Sequence, residues 1–133
     1  MKKAKQVLII RKDLKMRRGK EIAQGSHASL GAILNIMNDD DSGSKKSKIL
    51  HYKNDDPLDA WINGPFTKIC LYVNSEEELL ELDYKAKEAK LIHCLITDAG
   101  RTEFHGIPTK TVLAIGPAWE EDINKITGHL PLY

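Results

Sequence analysis

The sequence predicts an α/β domain in three layers, a four-stranded mixed sheet flanked by helices on both faces. Two patterns predict it. Short, near-continuous apolar runs alternate with longer helical periodicities, as in a sheet covered on both faces. The last two apolar runs are joined by a loop too short for a crossover helix, so they pair antiparallel. Residues 1–133 are the length of one domain, and a composition 41% hydrophobic and 29% charged suits a globular chain that buries a core.

Gln6–Arg11 is the first strand, apolar throughout Val7-Leu8-Ile9-Ile10. A helical pattern then runs from Lys20 to about Met37, with Ile22, Ala23, Ser26, Leu30, Ile33, Leu34 and Met37 as its apolar stripe. Lys20, Gln24, His27 and Gly31 fall to one side of that stripe, at the rim of the expected buried face. Residues 38–56 are polar and read as a flexible surface insertion, with a turn of helix near Lys48–Tyr52. Asp56-Pro57 offers an N-cap with proline in the first turn, for a short helix over Leu58–Asn63 that stops at Gly64. Thr67–Val73 is the second strand. Ser75 with Glu78 forms a capping box for a helix through Leu79, Leu82, Ala86 and Ala89. Leu91–Thr97 and Thr111–Gly116 are the third and fourth strands, and Pro117 starts a last helix that Gly128 ends.

Lys and Arg together exceed Asp and Glu by one, 20 against 19, so the whole molecule is not a polycation. The sign is uneven, however. Between residues 2 and 20 Asp13 is the only carboxylate among many lysines and arginines, which points to a local patch for a phosphate-bearing partner or to a solvated basic terminus. Cys70 and Cys94 sit in apolar runs without metal or redox spacing and read as small buried hydrophobes of a reducing compartment. No apolar stretch approaches a membrane span, and the lysine-rich start leads into a strand rather than a signal peptide, so a cytoplasmic location is expected.

Lys20, Gln24 and His27, at i, i+4 and i+7, stack polar groups along one stripe at a helix start, a natural place for an anion. A Walker motif is excluded because the preceding glycine is missing and Glu21 replaces the magnesium-binding Ser or Thr. The histidines are scattered, which argues against a metal, and neither Ser26 nor Ser29 lies in a GxSxG elbow. Asp98 closes an apolar strand and opens a glycine turn, where α/β sheets bind ligands. It either caps that turn or faces Lys20 across the crevice, where the pair would orient a water with a threonine hydroxyl beside the developing oxyanion. Likewise His27 is a structural hydrogen-bonding residue or part of that network.

The blocks Arg11, Asp13-Leu14, Met16, Gly19-Lys20, Ala23-Gln24 and His27-Ala28 have companions downstream. These are Asp98-Ala99-Gly100-Arg101-Thr102, Thr111 through Pro117, and Thr127-Gly128-His129-Leu130. Together, in this order and over nearly the whole chain, they resemble the type II (archaeal and eukaryotic type) peptidyl-tRNA hydrolases. Residues 38–56 look longer than the corresponding connection in most members, and Glu103–Lys110 lacks the usual Pro-Gly order.

The resemblance implies the four-stranded mixed sheet, often a homodimer, with no metal or organic cofactor. It implies hydrolysis of the ester between a nascent peptide and the 3′-terminal ribose of tRNA. Its functional positions fall on Lys20, Gln24, His27, Asp98 and Thr111, with Arg101 and Thr102 in the adjoining loop. Asp98 and Lys20 are then expected to activate the water, Thr111 or Thr102 to steady the oxyanion, and Gln24 and His27 to arrange the network. Lys15, Arg17 and Arg18 are expected to contact acceptor-stem phosphates. The alternative is a non-catalytic module of the same fold that binds tRNA or a protein. A two-metal nuclease is disfavoured because no acidic cluster suited to holding two metals is present.

Overall fold

A computed structural model describes residues 2–133. The chain runs β1 (Ala4–Arg11), a 3-10 turn (Lys12–Leu14), α1 (Arg18–Leu34), β2 (Asn38–Asp40), β3 (Ser47–Ile49), α2 (Pro57–Ile62), β4 (Lys68–Val73), α3 (Glu76–Glu88), β5 (His93–Asp98), β6 (Thr109–Trp119) and α4 (Glu120–Thr127). The main sheet has the order β4-β1-β6-β5. β1 is parallel to β4 and antiparallel to β6, and β5 is antiparallel to β6, so the sheet is mixed as expected.

The apolar run of β1 is continuous because both its faces are covered. Val7 and Ile9 point into a core with Leu79, Leu82, Ile123 and Ile126 of α3 and α4. Leu8 and Ile10 point the other way, against Met16, Ala28 and Ala32 of the α1 layer. α2 joins that second layer through Leu58 and Trp61, packed with Ala4 and Ile33. The N-caps follow their sequence signals. The Asp56 carboxylate accepts from Leu58 N–H at 3.1 Å, and Ser75 Oγ accepts from Glu78 N–H at 3.1 Å.

Several expectations need correction. α1 starts two residues before Lys20 and ends at Leu34, short of Met37. Its buried residues are Gln24, Gly25, Ala28, Ala32 and Ile33, whereas Ile22, Leu30 and Leu34 are exposed. Small side chains let the helix approach the sheet closely; a Cβ on Gly31 would lie 2.9 Å from Cys94 Sγ. Ile22, Leu30 and Leu34 therefore mark its outer flank, and Ile33 alone of the large apolar residues in α1 is buried. No helical turn forms at residues 48–52. Ser47–Ile49 instead pairs antiparallel with Asn38–Asp40, and Lys48 Nζ reaches Asp39 Oδ1 at 2.8 Å across the hairpin. Pro117 does not begin a helix, because Ala118 and Trp119 extend the ladder opposite Lys5 and Ala4 and defer α4 to Glu120. Gly116, at φ 102°, passes so close to β1 that a Cβ would meet the Lys5 carbonyl oxygen at 2.6 Å. Cys94 is buried because it lies under α1 against Gly31, whereas Cys70 of β4 faces an open groove between α1, α2 and β4 and is exposed. Among the described residues no helix is long and apolar enough to cross a membrane.

Candidate active site

Three chain ends meet at one end of the sheet: the exit of β1, the exit of β5 and the entry of β6. The β1 exit is pinned by Arg11, whose guanidinium binds Asp13 Oδ2 at 2.7 Å and the Lys110 carbonyl at 3.2 Å. Buried Met16 anchors the loop that follows, with Lys15 in the left-handed region at φ 52°. α1 then rises over β5 and β6, aiming its first two turns at Asp98.

A continuous chain of hydrogen bonds forms there. Lys20 Nζ donates to Asp98 Oδ1 at 3.0 Å and lies 3.0 Å from Thr102 Oγ1. Gln24 Nε2 donates to the same Oδ1 at 3.3 Å, while Gln24 Oε1 accepts from Thr111 Oγ1 at 2.5 Å. Asp98 Oδ2 accepts from Gly100 N–H at 2.9 Å. Gly100 is required at φ 81°, where a Cβ would also meet the Ile107 carbonyl oxygen at 2.4 Å. Only 15% of the Lys20 side chain and 14% of the Asp98 side chain are exposed, so water screens the pair weakly. Burial pushes the Asp98 carboxyl up. The bonds from Lys20, Gly100 and Gln24 and the lysine charge outweigh it, and its pKa falls below the ordinary carboxylate value.

The residues singled out in the sequence therefore divide. Lys20, Gln24, Asp98, Thr102 and Thr111 share one network. Thr111 is completely buried and its hydroxyl is turned to Gln24, so it does not face a ligand. His27 is exposed on the next turn of α1, outside those bonds. Lys15, Arg17, Arg18 and Arg101 are all exposed, and Arg18 borders the groove between α1, α2 and β4. Two neighbours were not anticipated. Glu103 reaches back to α1, with Oε2 3.4 Å from Arg17 N and Oε1 3.9 Å from its guanidinium. Phe104 places its ring 5.7 Å from Lys20 Nζ and packs with the core cluster of α1. Nothing local in the loop sequence marks Glu103, but an aromatic in a polar loop is a signal for Phe104.

A family model described as peptidyl-tRNA hydrolase PTH2 matches residues 4–133. The chain belongs to this family. A probable peptidyl-tRNA hydrolase 2 of Dictyostelium discoideum is 45% identical over 131 residues, covering 97% of this chain and 54% of that protein. A peptidyl-tRNA hydrolase of Methanopyrus kandleri is 42% identical over 128 residues, 96% of this chain and 97% of the relative. One of Methanocaldococcus jannaschii is 39% identical, with 96% and 98% covered. The chain thus spans about half of the Dictyostelium protein and nearly all of the two archaeal ones. For a PTH2 chain, the Lys20–Asp98 network is the place where polar, shielded and rigid groups coincide. Among the described residues no three His, Cys, Asp or Glu side chains converge as a metal ion would need.

Proposed function

We propose that this chain hydrolyses the ester linking peptide to tRNA in peptidyl-tRNA by using Lys20 and Asp98 to hold and polarise the attacking water. The chain is a hydrolase by family, and its reaction is cleavage of peptidyl-tRNA. The observation that carries the residue assignment is the Asp98 carboxylate. Its Oδ1 is occupied by Lys20 and Gln24, whereas Oδ2 accepts a single bond, from Gly100. A carboxylate oxygen accommodates about two donors, so Oδ2 has room for a water.

In this reading the water adds to the ester carbonyl and passes its proton toward Oδ2. The carbonyl oxygen becomes an oxyanion beside Lys20 Nζ and the Thr102 hydroxyl, and the intermediate collapses by expelling the ribose hydroxyl, which takes up the proton. Gln24 and Thr111 are positioning residues, since they act on Asp98 and touch nothing outside the protein. His27 is exposed on the turn of α1 after Gln24 and is open to contact with the substrate. Lys15, Arg17 and Arg101 bind acceptor-stem phosphates, a sequence-independent contact suited to an enzyme serving many tRNAs, and Arg18 does so from the rim of the groove between α1, α2 and β4.

We also read the protein as a cytoplasmic homodimer. Ile22, Leu30 and Phe66, exposed by 64%, 58% and 48%, border an apolar groove of about 760 Å³ between α1, α2 and β4. A two-fold contact would cover this patch on both copies at once. Sedimentation of the wild type and of Ile22→Asp tests it, since an unchanged monomer in both would remove the dimer. The function itself is tested with N-acetyl-aminoacyl-tRNA. Turnover by the wild type is expected, and binding without cleavage at micromolar enzyme would leave only a binding module.

A further inference from the structure

The two edges of the main sheet are treated differently. The outer edge of β4 is capped by the C-terminal tail, through bonds from Tyr72 N–H to the Pro131 carbonyl at 3.3 Å and from Tyr133 N–H to the Cys70 carbonyl at 3.1 Å. β5 is the opposite edge, and no loop backbone of the described residues bonds to it along residues 93–97. The strand also carries no proline, lysine or arginine, the usual means of blunting an edge.

Its register says which groups are free. Ile92 carbonyl accepts from Gly116 N–H at 2.7 Å, and the pairs then alternate as His93↔Ile115, Cys94↔Ala114, Leu95↔Leu113 and Ile96↔Val112. Cys94 and Ile96 thus turn their N–H and C=O inward to β6, and His93 and Leu95 turn theirs outward. The strand ends at Asp98, the residue that holds the water.

We propose that the β5 edge binds the peptide moiety of the substrate as an added, parallel strand. This rests on the peptidyl-tRNA reading above. Polarity supports it: the peptide is esterified through its C-terminus, so a strand ending at Asp98 runs in the direction of β5. Chemistry supports it as well, because nascent peptides share a backbone and no side-chain sequence, and edge pairing recognises backbone alone. A peptide residue opposite Cys94 would donate to the His93 carbonyl and accept from Leu95 N–H. At ~3.3 Å per residue, that residue is four or five positions from the ester.

The experiment compares tRNAs carrying an N-acetyl amino acid with tRNAs carrying five-residue peptides, unmodified or N-methylated at one amide at a time. KM is expected to fall with peptide length while kcat changes little. N-methylation at alternate amides should raise KM again by about fivefold each, with the intervening amides neutral, one net hydrogen bond at a time. In parallel, hydrogen exchange at the His93 and Leu95 amides should slow on adding a non-hydrolysable peptidyl-tRNA mimic. Cleavage of every substrate with a length-independent KM, or a uniform response to N-methylation, overturns the proposal while leaving the hydrolase reading intact. Protection of those two amides that grows with protein concentration alone would assign the edge to a second copy of the chain and also overturn it. Failure to cleave any of the substrates would instead refute the hydrolase reading.

Discussion

Thr111→Val removes one hydroxyl and keeps the shape of the side chain, which makes it a clean probe of the network behind Asp98. Thr111 is fully buried and Gln24 is 3% exposed, so no water replaces the 2.5 Å bond from Thr111 Oγ1 to Gln24 Oε1. An orphaned buried acceptor costs about 1–3 kcal/mol. For a domain of this size that corresponds to a melting point lowered by about 4–12 °C. The functional effect is separate. Gln24, no longer held from behind, ceases to fix Asp98 Oδ1, and a displacement of the carboxylate by a fraction of an ångström to 1 Å costs about 10- to 100-fold in kcat. KM for N-acetyl-aminoacyl-tRNA should change little, because neither residue touches the tRNA. Thr111→Ser retains the hydroxyl and should recover most of kcat despite losing a packed methyl. Stopped-time hydrolysis assays run below the measured melting point of each protein separate the two effects. A Thr111→Val enzyme with wild-type kcat, or a Ser variant as slow as the Val variant, would refute the positioning role.

Asp98→Asn should lose about 10²-fold or more in kcat, and an unchanged rate would remove Asp98 from the chemistry. Because the Asp98 pKa is lowered, its bonds to Lys20, Gly100 and Gln24 stabilise the fold above the unfolded carboxylate pKa and are lost as pH falls through the lower folded value. Denaturant titrations of wild type and Asp98→Asn should therefore converge in that acidic window and diverge above it. Lys15→Ala with Arg17→Ala should raise KM and reduce the slope of log binding against log salt by roughly 0.7–0.9 per lost phosphate contact, measurable by tRNA binding across a salt series. Tyr133 is raised to about 12 by its bond to Glu21, so its phenol should stay neutral past the ordinary tyrosine range. Stability from that contact is present below the unfolded tyrosine pKa and lost as pH rises toward 12; spectroscopic titration of wild type against Glu21→Gln checks the shift.

Strands were readable wherever both faces are covered. Val7–Ile10 and Val112–Ile115 are apolar runs because each side chain meets a helix layer, and period and burial agree. Reading failed where closeness, not bulk, decides burial. α1 turns Gly25, Ala28 and Ala32 to the sheet and leaves Ile22 and Leu30 outside, so the side chains that dominate a helical wheel pointed to the wrong face. The end of β6 was missed for a related reason, since Pro117 is a common helix starter and only the pairing with β1 reveals that the strand continues. For the site, the meeting of Lys20 with Asp98 followed from where ligands bind in such sheets. The buried, inward-facing state of Thr111 and the exposure of His27 depend on side-chain direction, which spacing alone does not carry. Glu103 has no sequence signature because its partner is a backbone N–H 86 residues away.

The position of β1 in the sheet has a consequence for how the chain comes off the ribosome. Of the four strands of the main sheet β1 is made first, and it lies inside the sheet with β4 on one side and β6 on the other. The apolar strand Val7–Ile10 therefore waits with one edge bare until residues 112–119 have emerged, although α1, α2 and β4 are already available. Its pairing with β6 closes a loop of about a hundred residues, which places the protein among chains whose folding is slowed by distant contacts. During that interval the nascent chain carries an unpaired, hydrophobic, β-prone segment, the kind of edge that aggregates. A chain stalled before β6 would stay in that state, so for this fold an interrupted translation leaves a hazardous protein fragment.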